Sequence, residues 1–135
     1  MLKTGILNPY LLSLLARVRH TNMLVIADRG FPYWPMIETV DLSLVDDIPT
    51  VLQVFKAVRD SCDIGEVFMA QEFLDENTDA VKAAFSAALK GISVTYEPHT
   101  LFKEKVPQAI GLIRTGDTTQ YGNMIIVSEQ PPEDA

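Results

Sequence analysis

The chain holds 135 residues, with 11 basic against 18 acidic side chains and a net charge of −7. A chain of this length buries roughly 68% of its unfolded surface, and its 47% apolar and 21% charged residues exclude disorder as the main state. The basic residues are scattered (Arg17 and Arg19, Lys56 and Arg59, Lys103 and Lys105), so no cationic face offsets phosphate and nucleic acid is excluded as a partner.

In chain order, no basic segment with a long apolar run opens the sequence, which argues against a secretory leader and for the cytoplasm. Asn8 and Pro9 read as N-cap and first position of a helix whose apolar face is Leu11, Leu12, Leu14, Leu15 and Val18. After His20-Thr21-Asn22 comes the continuous apolar run 23–27, the signature of a strand buried on both faces, ended by Asp28-Arg29-Gly30. Two prolines keep 31–35 out of helix, and 38–44 alternates as a half-buried strand. Asp47 reads as the cap of a helix entering through Pro49 and running to about Asp60. Residues 66–73 follow as a strand. An alanine-rich amphipathic helix spans 77–90, with Gly91 as its stop. Then come a strand at 92–97, a short helix at about 98–106, and strands at 109–114 and 123–128. Residues 1–128 read as one domain and 129–135 as a loose acidic tail.

Roughly six strands and four helices in alternation predict an α/β fold with a largely parallel sheet. Such sheets gather ligands at strand ends. Apolar runs such as 24–27 and 124–127 fall far short of the ~18 residues that span a bilayer. The single cysteine, Cys62, excludes an internal disulfide and a cysteine metal cage.

The chemistry-bearing residues bracket strands. The two histidines, His20 and His99, suit proton transfer near neutral pH. Each also has a plain structural reading, as a helix-end cation and as a first-turn helix residue. Asp28, at the end of the first strand, suits hydrogen bonds from a polyol, the orienting of an imidazole, or a turn ahead of Gly30. Tyr121-Gly122-Asn123 offers neutral donors and acceptors, or an ordinary turn into the last strand. Lys103 shares a helical face with His99. Tyr33 and Trp34 read as loop packing or an oligomer seam. Dinucleotide, P-loop and nucleophile-elbow motifs are all missing, and the two histidines lack the spacing of a helical metal pair.

Taken in order, these segments resemble the D-ribose pyranase and L-fucose mutarotase family. The resemblance rests on Lys3-Thr4-Gly5-Ile6-Leu7-Asn8 and on His20-Thr21 ahead of Leu24-Val25-Ile26-Ala27-Asp28 with Gly30-Phe31-Pro32. It continues through Val40-Asp41-Leu42, Ile48-Pro49-Thr50, His99 with Phe102-Lys103, Arg114-Thr115-Gly116-Asp117 and Tyr121-Gly122-Asn123-Met124-Ile125-Ile126. It covers nearly the whole chain. The resemblance implies a three-layer α/β/α domain with a mixed sheet, assembled into ring-like homo-oligomers, commonly decamers, with sites shared between subunits. It implies interconversion of the cyclic forms of a free monosaccharide, ribose or fucose, with neither cofactor nor metal. His20 then corresponds to the proton donor, and Asp28, His99, Lys103 and Tyr121-Gly122-Asn123 to sugar-binding positions. The chain departs from the family at Asn22, where Asp is frequent, at Arg29, and at Tyr33-Trp34-Pro35. Beside this stand two other readings: a non-catalytic monosaccharide-binding or regulatory subunit, and a purely structural oligomer building block.

Overall fold

The computed structural model describes residues 1–129. Six strands form one sheet: β1 (Met23–Ala27), β2 (Glu38–Asp41), β3 (Ile64–Ala70), β4 (Ser93–Glu97), β5 (Gly111–Arg114) and β6 (Met124–Ser128). Five α-helices accompany them: α1 (Pro9–Ala16), α2 (Val51–Ser61), α3 (Glu72–Glu76), α4 (Asp79–Ala88) and α5 (His99–Lys105), the last followed by a 3₁₀ turn, Val106–Gln108. The strand order is β2-β5-β1-β6-β3-β4. Pairings β2–β5, β5–β1 and β3–β4 are parallel, and only β6 runs against its neighbours.

Period-two alternation divides the sheet's side chains between two cores. Leu24 and Ile26 of β1, Ile113 of β5, and Met124 and Ile126 of β6 face α1, α2 and α4, meeting Leu11, Leu14, Val54, Phe55, Val58 and Phe85. Val25, Ala27, Leu112 and Ile125 face the other way, meeting Phe102 and Val106 of the α5 segment and Phe31 of the loop after β1. The result is the expected α/β/α sandwich. Among the described residues no helix is long and apolar enough to cross a membrane.

Local chemistry explains most boundaries. The Asn8 side chain accepts the Leu11 N–H at 2.9 Å to start α1. β2 ends at Asp41, three residues before the expected Leu44, because the Asp41 carboxylate takes the Ser43 N–H at 2.9 Å and bends the chain. Asp47 is not the cap of α2. Thr50 is, in a reciprocal capping box with Gln53. Asp47 instead sits at φ +62° and accepts the Thr118 N–H at 2.9 Å. β3 stops at Ala70 rather than Phe73, and α3, which the sequence reading missed, begins two residues later. Thr78 caps α4, and Gly91, at φ +84°, follows its end. At the expected loose tail, Glu129 still donates its N–H to the Asp63 carbonyl at 3.0 Å, and residues 130–135 lie outside the described part of the chain.

Candidate functional site

Because β6 alone is reversed, its entry segment reaches the same sheet edge as the exits of β1, β3, β4 and β5. That edge carries Asp28 after β1, His99 after β4, and Tyr121 to Asn123 before β6. The strand ends thus gather polar groups from distant parts of the chain, as parallel sheets commonly do. They line an open hollow of about 350 Å³ formed by Asp28, Gly30, Phe31, Pro32, His99, Gln120, Tyr121 and Asn123. This volume is at the small end of ligand sites, which run from about 300 to 1,000 Å³.

The floor is rigid by hydrogen bonding. Asn123 is only 3% exposed, and its Oδ1 accepts the Asp28 N–H at 2.6 Å. The Asp28 carboxylate in turn accepts the Gly30 N–H at 3.0 Å. The Arg114 guanidinium spreads over the loop after β1, donating to the carbonyls of Phe31 at 2.6 Å and of Asp28 and Arg29 at 3.4 Å. The Thr115 hydroxyl donates to the Ala27 carbonyl at 2.8 Å, and the Asp117 carboxylate accepts the Val51 and Thr119 N–H groups at 2.8 and 2.7 Å. Burial pushes the Asp28 carboxyl up from 3.8, with a small addition from Asp117, against hydrogen bonds from Gly30, Asn123 and Phe31 that pull it down.

His99 forms the opposite wall. Its ring stacks on Phe102 at 5.8 Å between centroids and meets Tyr121 edge-on at 5.1 Å and Phe31 edge-on at 6.4 Å. Nδ1 is buried without a hydrogen-bond partner. Burial lowers the His99 pKa from 6.5, the Lys103 ammonium lowers it further, and Glu72 and Asp28 oppose the shift. The shift favours the neutral ring, which carries one N–H donor. Tyr121 reaches His99 from a left-handed backbone position, φ +54°.

Four sequence-predicted residues thus meet: Asp28, His99, Tyr121 and Asn123. Lys103 stands one turn along α5, half-buried, where it acts on His99 by its charge and does not line the hollow. Gly122 is buried between the lining residues Tyr121 and Asn123. A Cβ there would stand 3.2 Å from the Thr119 side chain, so close packing requires the glycine. Trp34 packs against the Phe31 core, while Tyr33 is 70% exposed.

His20 is not with them. It precedes β1, so the five residues of that strand, about 16 Å at roughly 3.3 Å each, separate it from Asp28. His20 is exposed and lines a different hollow with Leu15, Val18, Cys62, Asp63 and Ser128. Its loop is well held. The Asn22 Oδ1 accepts the Arg19 N–H at 2.8 Å, and Thr21, at φ +69°, donates its N–H to the Ser128 carbonyl at 3.1 Å. Two residues escaped the sequence reading: Arg114 as the organiser of the loop, and Glu72, whose carboxylate accepts the His99 N–H at 3.0 and 3.2 Å. Arg114 carried a signal as a cation closing a buried strand. Glu72 carried none, because α3 itself was not foreseen. Among the described residues, no cluster of three or more His, Cys, Asp or Glu is gathered as a metal cage.

Comparison with known proteins agrees with this geometry. The model of the RbsD / FucU transport protein family matches residues 1–129. A D-ribose pyranase of Geobacillus kaustophilus is 41% identical over 128 residues, 95% of this chain and 93% of the pyranase. The structure of Bacillus subtilis RbsD complexed with D-ribose aligns with a TM-score of 0.89 at 29% identity, covering 98% of this chain and all of the other. The fucose mutarotase of Streptococcus pneumoniae in complex with L-fucose shares the fold, with a TM-score of 0.79 over 93% and 94% of the two chains at 16% identity.

Proposed function

The chain belongs to the RbsD / FucU family, and from that premise we infer that it is an isomerase that interconverts the cyclic forms of a free monosaccharide, with D-ribose the first candidate. The observation that carries this reading is the convergence of Asp28, His99, Tyr121 and Asn123 around one small hollow. The 41% identity to a D-ribose pyranase favours ribose over fucose.

The chemistry asks little beyond what the chain owns. Opening a hemiacetal ring moves one proton onto the ring oxygen and takes one from the anomeric hydroxyl. The open-chain aldehyde then recloses on its other face or through another hydroxyl. In this reading His20 donates to the ring oxygen, and the anomeric hydroxyl gives its proton to solvent water in the open hollow. Asp28 and Asn123 hold hydroxyls by accepting and donating hydrogen bonds, His99 Nε2–H and the Tyr121 hydroxyl fix the sugar's other side, and Lys103 sets the charge beside His99. Acid–base help of this kind is worth about 10²–10⁴-fold.

Within one chain His20 faces away from the hollow, so the reading requires a second copy to deliver it. We propose a homo-oligomer, of the decameric ring type, in which the His20 edge of one subunit covers the hollow of the next. A chain held apart as a monomer is then a sugar binder without its acid, which is the one form in which the non-catalytic reading applies. The cytoplasm is its proposed compartment, since a lone Cys62 suits a reducing environment.

The test is subunit mixing, read by magnetisation transfer between D-ribose anomers. His20→Ala and His99→Ala are each expected to be inactive. Unfolded together in equal amounts and reassembled, they should recover about a quarter of the wild-type rate, since half the hollows and half the donors are intact and pair at random. No recovery, with each variant still assembling, would refute the shared site. No exchange above the spontaneous rate by the wild-type protein with any pentose or hexose would refute the activity.

A further inference from the structure

α5 begins awkwardly. Its N-cap is Pro98, which has no side-chain acceptor, and no local side chain caps the helix. The first helical N–H is that of His99 itself. Without an acceptor, this half-buried donor would carry a desolvation penalty. The acceptor comes from elsewhere in the chain. Glu72, at the start of α3, presents both carboxylate oxygens to the His99 N–H, at 3.0 and 3.2 Å. A second bond closes the same corner, from the Gln71 N–H to the Glu97 carbonyl at 2.7 Å. The exits of β3 and β4 are therefore tied together at the residue that bears the imidazole.

We propose that Glu72 is the positioning residue for His99, fixing through the backbone where the imidazole stands in the hollow. The inference rests on the sugar-site reading above and adds to it a residue that does not line the hollow. Two features make the tie specific. The N–H it holds belongs to the ligand-facing residue, one Cα away from the ring. In addition, the ring has no side-chain hydrogen bond of its own, since Nδ1 is buried and unpartnered. Stacking on Phe102 fixes its plane, and the backbone tie must fix its location. The charged groups that face the ring are Lys103 from α5, Glu72 from α3 and Asp28 from the loop after β1. Glu72 also opposes Lys103 there, so the carboxylate acts on the ring in two separable ways, by position and by charge.

Three variants of the full-length protein separate these roles: E72A, E72Q and, as control, His99→Ala. Exchange kinetics with D-ribose give KM and kcat, and NMR of the sugar-free protein gives the His99 ring titration. E72A should raise KM about tenfold with a smaller change in kcat, the loss of one charge-assisted hydrogen bond. E72Q keeps an oxygen acceptor and should return KM to within about twofold of wild type. In both, His99 should titrate at lower pH than in the wild type, because the charge is gone. A purely structural role would lower thermal stability and leave KM unmoved. Wild-type KM in E72A, beside a crippled His99→Ala, overturns the role of Glu72 alone. Undiminished exchange in His99→Ala overturns the sugar-site reading on which it rests. If E72A does not fold, E72D, which withdraws the acceptor by one methylene, should raise KM severalfold, and a wild-type KM in E72D overturns the proposal.

Discussion

The two edges of the sheet are built to different standards. The edge carrying Asp28, His99, Tyr121 and Asn123 is cross-tied by Asn123, Arg114, Thr115 and Glu72, and its titrating groups are pushed from their usual ranges. The edge carrying His20 is held by short-range ties, the Asn22 and Arg19 side chains bonding backbone within a few residues and Thr21 bonding the Ser128 carbonyl, and its imidazole is exposed. One gathers polar groups from distant segments around a hollow within a single chain. The other carries an exposed imidazole beside a different hollow. On the proposed reading the contrast separates recognition from proton delivery, at opposite ends of the same strand, β1.

His20→Ala offers the sharpest way to break that division. If the edges divide labour as described, the exchange rate falls by about 10²–10⁴-fold while D-ribose affinity, by calorimetry, stays within about threefold. Equal loss of rate and affinity would mean that His20 belongs to the binding surface after all. Asn123→Ala tests the other edge. It leaves the Asp28 N–H without its acceptor and strips an amide from the Asp28 carboxyl, so stability in urea should drop by about 1–3 kcal/mol, and ribose affinity should fall with it. No comparable loss of stability is expected for His20→Ala, whose side chain is exposed.

Acidification sharpens the comparison further. His99 has its folded pKa below the ordinary 6.5, so only well above 6.5 is it neutral in folded and unfolded chains alike, where it contributes no pH dependence. As pH falls below 6.5 the unfolded chain binds the proton first, and stability declines until the folded ring is protonated too. Asp28 has the opposite sign. Its folded pKa lies above the ordinary 3.8, so its penalty is absent below 3.8 and grows as pH rises through the folded value. Because the His99 pKa lies below the ordinary 6.5, a rise in ribose KM caused by protonation of this ring should set in toward the acid side of 6.5. A KM that rises already between pH 8 and 7 would show that His99 is not held neutral.

The same contrast decides how much could be read from residues alone. The run Met23–Ala27 is a strand with the expected bounds, because five apolar residues flanked by a turn on each side admit little else. Asn8, Pro9 and Gly91 punctuate helices by local chemistry, so they too were legible. Asp47 misled because an acidic residue ahead of a helix resembles a cap, whereas the next threonine had a glutamine three residues on. α3 was hidden because its five residues are too few to show a helical period, and Phe73 follows the apolar run across only Gln71 and Glu72. At the site, residues beside strand ends were visible as candidates. Their ties were not, since Glu72 to His99 and Arg114 to Phe31 are contacts across 27 and 83 positions of sequence. The distance of His20 from its presumed partners is likewise a property of topology, fixed by which end of β1 each residue occupies.

The smallest expected effect concerns Asn22, where the family frequently carries Asp. If the residue tuned the His20 proton by charge, Asn22→Asp would raise the ring's proton affinity and alter the rate. The structure gives Asn22 another task. Its Oδ1 accepts the Arg19 N–H at 2.8 Å, while its own N–H returns to the Arg19 carbonyl at 3.0 Å, which closes the loop that mounts His20. A carboxylate oxygen can accept the same bond in the same place, so amide and acid are interchangeable in that task. Stability should change by less than about 0.5 kcal/mol, and the exchange rate at pH 7 by less than about twofold. Asn22→Ala removes the acceptor, and should cost about 0.5–1.5 kcal/mol together with a slower rate from a looser mount. A tenfold faster Asn22→Asp enzyme would instead show that a carboxylate at this position does more than close the loop that mounts His20.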